Sequence, residues 1–233
     1  MTASLGTSTQ RHTRALAAFS ALLLMSAAVD ASPNLFTNGS FESPRVSAGK
    51  LTNFASGSTD IAGWTIAGAE ASLVDSTFSS FSIQFPASEG SQWLDLTGFL
   101  ASTGETIRQT APTVVGRTYH LSFAVGNVFN RHGIYGTRST VVVTVNGAPL
   151  GTFTNSCTTC TNTLSWEAFT ASFVADSTTT VIEFLNKDPS TDNCNGLDDV
   201  VLTEGSRGGD VSDSVRTDTY FSPRAGADSS ASQ

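Results

Sequence analysis

Three carboxylates stand among residues that favour strands and cores. Glu42 closes the opening Asn38-Gly-Ser-Phe-Glu42 segment, and Asp198 and Asp199 interrupt the closing Gly196-Leu-Asp-Asp-Val-Val-Leu202 segment. A carboxylate beside a core is costly unless it is paired, so each needs a partner such as a bound cation. If the closing segment is a strand, alternation puts Leu197, Asp199 and Val201 on one face and Asp198, Val200 and Leu202 on the other. One aspartate must then face inward, and an all-oxygen donor set favours Ca²⁺ over zinc. The competing reading is that these side chains cap loop amides or lie at a solvated edge.

The cysteines are the second group able to do chemistry. Cys157, Cys160 and Cys194 are an odd set, so three cannot all pair within one chain. Cys157 and Cys160 enclose a very short loop, which makes a bridge from one of them to Cys194 geometrically easier than a bridge between them. A Cys160–Cys194 disulfide is expected, with Cys157 free or intermolecular. A Cys-x-x-Cys redox motif or half a zinc site is the alternative, but no second Cys or His pair stands at ligand spacing.

Sugar recognition needs an aromatic platform and nearby polar groups, because sugars present C–H faces and a ring of hydroxyls. Trp64, Trp93 and Trp166 each lie in a strand pattern, where a core role is the expectation. The less regular stretch from Asn127 to Tyr135 is the better candidate. It joins two strong strands and brings Asn127, Asn130, Arg131, His132 and Tyr135 to one end of the fold, where binding loops gather. An ordinary polar loop is the plainer reading. His120 and His132 are read as surface residues, and no nucleophile elbow, zinc-protease helix or phosphate loop is present. A pair of carboxylates acting as a glycosidase remains as an alternative, since their separations are invisible in sequence.

Residues 1–31 have the parts of a secretory signal. Arg11 and Arg14 precede an apolar run from Ala15 to Val29, followed by small residues before Ser32. Removing them takes Arg11, Arg14 and Asp30 and leaves 10 basic residues against 19 acidic ones. Lysine occurs only at Lys50 and Lys187 and no basic stripe is interleaved with aromatics, which argues against nucleic acid as a partner. One domain is expected over residues 34–204, and a flexible tail rich in Gly, Ser, Asp and Arg over 205–233.

Period-two patterning dominates the domain. Tyr119, Leu121, Phe123 and Val125 share one face, and Val141, Val143 and Val145 run into the hairpin signal Asn146-Gly147. Strands are also expected over residues 61–66, 71–74, 91–96, 105–109, 150–154, 166–173 and 179–185, with helix confined to short turns. About ten short strands with turn chemistry between them predict an all-β antiparallel sandwich, a jelly roll.

The segments Asn34-Leu-Phe-Thr-Asn-Gly-Ser-Phe-Glu42, Gly63-Trp64, Glu89-Gly-Ser-Gln-Trp-Leu-Asp-Leu96, Gly116-Arg-Thr-Tyr-His-Leu-Ser-Phe123 and Cys194-Asn-Gly-Leu-Asp-Asp-Val200 together resemble domain-of-unknown-function family 642. That family includes plant cell-wall proteins and bacterial exported proteins and has the galactose-binding-like jelly-roll fold. The chain departs from the common plant architecture in having one such domain rather than two, and from many bacterial relatives in lacking a membrane-spanning sorting tail. The resemblance implies a structural Ca²⁺ clamped by Glu42 and one of Asp198 or Asp199, completed by backbone carbonyls near Ser40. The function expected is a secreted, non-catalytic module that binds polysaccharide or another cell-envelope component. The alternatives are a structural or protein-binding module of an extracellular matrix and a weak glycoside hydrolase.

Overall fold

A computed structural model describes residues 32–99 and 104–205. The expected export signal, residues 1–31, and all of the expected tail after Gly205 lie outside the described residues.

Thirteen strands and no helix form among the described residues: β1 (Leu51–Ala55), β2 (Thr65–Ile66), β3 (Glu70–Asp75), β4 (Ser79–Ser80), β5 (Ile83–Gln84), β6 (Gln92–Asp95), β7 (Thr106–Pro112), β8 (Thr118–Asn127), β9 (Ser139–Val145), β10 (Ala148–Asn155), β11 (Ser165–Val174), β12 (Thr179–Asn186) and β13 (Gly196–Glu204). A six-stranded sheet runs β1-β3-β6-β13-β8-β11, and a five-stranded sheet runs β10-β9-β12-β7-β2. All ladders are antiparallel, and β4 and β5 form a small hairpin of their own. The fold is the antiparallel β-sandwich that the patterning predicts.

The main core fills the space between the two sheets. Trp64 lies against Phe36, Phe41 and Phe184, and Phe184 meets Phe123 edge-on with centroids 5.2 Å apart. Leu121, Phe123 and Val125 point inward as their alternation requires, and His120 on the other face is exposed. The Asn146-Gly147 hairpin joins β9 to β10, with Asn146 at φ 50° and Gly147 at φ 80°.

Strands β3 and β6 depart from a simple sandwich, because they are buried on both faces. Leu73 and Leu94 enter the main core, while Val74 and Trp93 point the other way, into a second cluster with Ile83, Phe85, Val128, Tyr135 and Leu164. The β4–β5 hairpin and the loops after β8 and β10 thus cover the outer face of the six-stranded sheet. Beside them the ring of Trp166 lies over Gly126 and Gly196, where an added Cβ would stand 2.9 and 2.8 Å from the ring. Two glycines side by side make that seat, since any side chain there would lift the indole away.

The first and last segments of the domain meet. Leu35 N donates to Leu202 O at 2.8 Å, Val200 N to Gly39 O at 2.9 Å, and Asn34 bonds both Val200 O and Leu202 N through its side chain. Gly39 allows this approach, because a Cβ there would run into the Val200 carbonyl. The closing strand does not alternate as expected. A bulge falls between Asp198 and Val201, and Asp199 takes φ 49°. Leu197 and Val200, which alternation assigns to opposite faces, both enter the main core, while Asp198 is buried and Asp199 is exposed. Within residues 61–66 only Thr65 and Ile66 are strand, because Gly63 at φ 83° and the Trp64 N–Ile61 O bond turn the chain first.

Candidate ligand cleft and the acidic groups around it

The loop between β8 and β9 folds back over the outer face of the six-stranded sheet, rather than standing at the end of the sandwich. Tyr135 draws it there, packing at 5.1 Å against Phe85 in the second cluster. The loop closes on itself through Asn130 N to Gly136 O at 2.7 Å and Gly133 N to Asn130 O at 3.1 Å. With Phe81 and Thr161 it lines a cleft of about 500 Å³, into which Asn130, Arg131, His132 and Tyr135 all contribute.

Asn127 is not part of that cleft. It is fully buried, donating to Cys157 O at 3.2 Å and lying 3.4 Å from the Ser139 hydroxyl, so it ties the β8 end to the cysteine loop. Polarity marked it as a loop ligand, but it is the last residue of β8 and its side chain turns inward. The residue that sequence reasoning missed is Phe81. Its ring is 77% exposed at the mouth of the cleft, 6.4 Å from Tyr135. Phe81 and Ser82 take φ 49° and 63° in the β4–β5 turn, a left-handed conformation costly for a bulky side chain. A short Ser/Phe-rich stretch with no Gly gives little sign of such a turn. All three tryptophans prove to be packed, with their ring N–H groups donating to Asn38 O, Phe85 O and Pro86 O.

The carboxylates proposed for calcium have found other partners. Glu42 Oε1 accepts the amides of Ser91 at 2.6 Å and Gln92 at 2.9 Å, and Oε2 accepts the Ser91 hydroxyl and the Arg45 guanidinium. Burial raises its affinity for a proton, but those donors outweigh burial and hold its pKa below the usual carboxylate value. Asp198 Oδ2 accepts the amides of Ser88 at 2.8 Å and Glu89 at 3.0 Å, and Oδ1 that of Asp199. Here burial wins and the pKa is pushed up to about 7. Asp199 is exposed on the bulge and shares no ligand position with the other two. The Gly39 carbonyl, beside Ser40, is taken by Val200 N. N–H and O–H donors point at these oxygens where a hard cation would need open lone pairs, so the donor set does not fit Ca²⁺. Among the described residues no group of three or more His, Cys, Asp or Glu is arranged to hold a metal.

A different acidic group lies behind Trp93. Asp95 Oδ1 accepts Thr97 N, Thr97 Oγ1 and Asn195 N, and burial pushes its pKa up to about 6. Burial, with the charge of Asp192 added, takes Asp188 to about 8, and burial takes Asp192 to about 7. Asp188 Oδ2 and Asn195 Oδ1 are buried with no hydrogen-bond partner among the described residues.

The cysteines are free thiols in this structure, so the expected Cys160–Cys194 bridge is not formed. Cys160 Sγ turns back to Cys157 O at 3.2 Å, which aims it into its own loop. Burial raises its pKa to about 11 and raises that of Cys194, whereas hydrogen bonds from Cys160 and Thr159 outweigh burial at Cys157 and lower its pKa.

The family model described as "Protein of unknown function (DUF642)" matches residues 34–202. The chain belongs to this family. No curated protein matches it. Among solved structures, the DUF642 chain is similar to a Stig cyclase, Fisc, of Fischerella sp. TAU in complex with (3Z)-3-(1-methyl-2-pyrrolidinylidene)-3H-indole, at 16% identity and TM-score 0.54, over 75% of this chain and 98% of that one. A second structure of a cyclase from Fischerella sp. TAU gives 15% identity and TM-score 0.52 over 75% and 98%. The CBM22-1 xylan-binding domain from Paenibacillus barcinonensis Xyn10C gives 13% identity and TM-score 0.42 over 68% and 97%. The likeness to the two cyclases is of fold, and the DUF642 domain is an antiparallel β-sandwich.

Proposed function

We propose that the protein is an exported, non-catalytic binding module for cell-wall or extracellular polysaccharide, working through the cleft between Phe81 and the loop of residues 130–135. The observation that carries this reading is the exposed Phe81 ring, held by a strained turn beside polar side chains. A sugar ring would lay its C–H face on Phe81 and direct hydroxyls to Asn130, Arg131 and His132. One aromatic face and a few hydrogen bonds give modest affinity, raised when several copies engage one polymer.

Retention on insoluble cellulose, pectin and chitin tests the proposal. The wild type is expected on at least one polymer, and Phe81→Ala is expected to pass through. Retention on none would favour a structural or protein-binding module. A weak hydrolase draws support from one observation, the buried Asp95 carboxyl with its raised pKa on a cavity wall. Reducing-sugar release from the same polymers, lost in Asp95→Asn, would establish that reading instead.

A further inference from the structure

Beneath the cleft, between the β4–β5 hairpin and the outer face of β3 and β6, lies a second cavity of about 290 Å³. We propose that this cavity binds a small organic ammonium ion, an amine with an aromatic or alkyl body.

Its walls are rings. Phe78, Phe85, Trp93 and Tyr135 line it, and Phe81 stands where it opens to the larger cleft. Phe85 packs on Phe78 at 5.6 Å and on Trp93 at 6.4 Å, so the box is built and held without a ligand. Aromatic faces carry negative potential and attract a desolvated cation.

Its polar end is Asp95, 8% exposed. Oδ1 accepts three donors from Thr97 and Asn195, which fix the carboxylate in the cavity wall that Asp95 helps to line. Among the described residues no ion pair reaches Asp95. Glu70 repels the Asp95 charge, and Asp95 acts in the same sense on Asp188 and Asp192. Arg138 acts on Asp188 against this. The unpartnered Asp188 Oδ2 and Asn195 Oδ1 mark the same deficit of donors.

Charge and wall chemistry together select the occupant. An anion would be repelled, and a neutral apolar molecule would bring no counter-charge to Asp95. A metal ion would need several converging oxygens, which rings do not supply. An ammonium group meets the carboxylate while its hydrocarbon body meets the rings. The outer cleft differs in carrying Arg131 and His132, so the two cavities would take unlike ligands.

Titration calorimetry of the full chain with benzylamine and with benzyl alcohol, which differ in charge at nearly constant size, tests the proposal. Benzylammonium should bind at least about tenfold more tightly than the alcohol. Asp95→Asn keeps an acceptor for Thr97 and Asn195 and should abolish that preference. Phe81→Ala, at an exposed position outside both core clusters, should weaken benzylammonium binding several-fold. Equal affinity for amine and alcohol, an unchanged preference in Asp95→Asn, or no heat from benzylamine at about 10 mM would overturn it.

Discussion

Glu42 and Asp198 grip the two ends of one loop: Glu42 accepts the amides of Ser91 and Gln92, and Asp198 accepts those of Ser88 and Glu89. One carboxylate comes from the opening segment and the other from the closing strand, so residues 88–92 join the two ends of the domain through amide–carboxylate bonds. Gly90 sits inside this grip at φ 66°, against the Glu42 carboxylate.

Because the clasp consists of amide donors on carboxylates, removing an acceptor leaves partly buried N–H groups without their partner. Asp198→Ala and Glu42→Ala should each cost about 1 kcal/mol in urea denaturation. Excess EGTA or added Ca²⁺ should leave the wild-type melting temperature unchanged. A clear shift with either would restore a cation to this site, since a ligand of the native state raises its stability.

Stability should fall as pH rises from about 5 to about 8. Asp95, Asp192, Asp198 and Asp188 have native pKa values of about 6, 7, 7 and 8 against an ordinary 3.8, so over this range the native state holds more protons than the unfolded chain. Their contribution is fully present below the ordinary value and is lost as pH rises through the native ones. Glu42 and Asp75 are shifted down and work in the opposite sense, losing their contribution in stronger acid. Calorimetric melting at the two pH values checks this, and a higher melting temperature at the alkaline end would contradict it.

Phe81 holds a left-handed conformation with its ring in solvent. Phe81→Gly should therefore stabilise the domain by up to about 1 kcal/mol while losing retention on polysaccharide. Thermal melting and the polymer assay read the two effects separately. A destabilised variant would show that the ring packs usefully on Tyr135.

The three thiols should differ in reactivity. At mildly alkaline pH in the native state, iodoacetamide should modify Cys157, the partly exposed thiol of lowered pKa, well before Cys160 or Cys194. After unfolding without reductant, mass spectrometry should find all three alkylated. A pair that resists would reveal a disulfide.

The strands of the sandwich were legible because their cause is local. Alternation along Tyr119–Val125 and the Asn146-Gly147 turn act through neighbours in sequence, and the same locality places Trp64 and Trp93 in cores. The carboxylates at the two ends were also recognisable as groups in need of partners, with amide capping among the possible answers. Which answer holds depended on the tertiary structure. The bulge at Asp198–Val201 decides which aspartate turns inward, and the loop that meets Asp198 lies far away in the chain. The two-sided burial of β3 and β6, the inward turn of Asn127 and the exposed ring of Phe81 likewise arise from segments distant in sequence. Periodicity reports which residues leave water, but only long-range packing determines what they meet there.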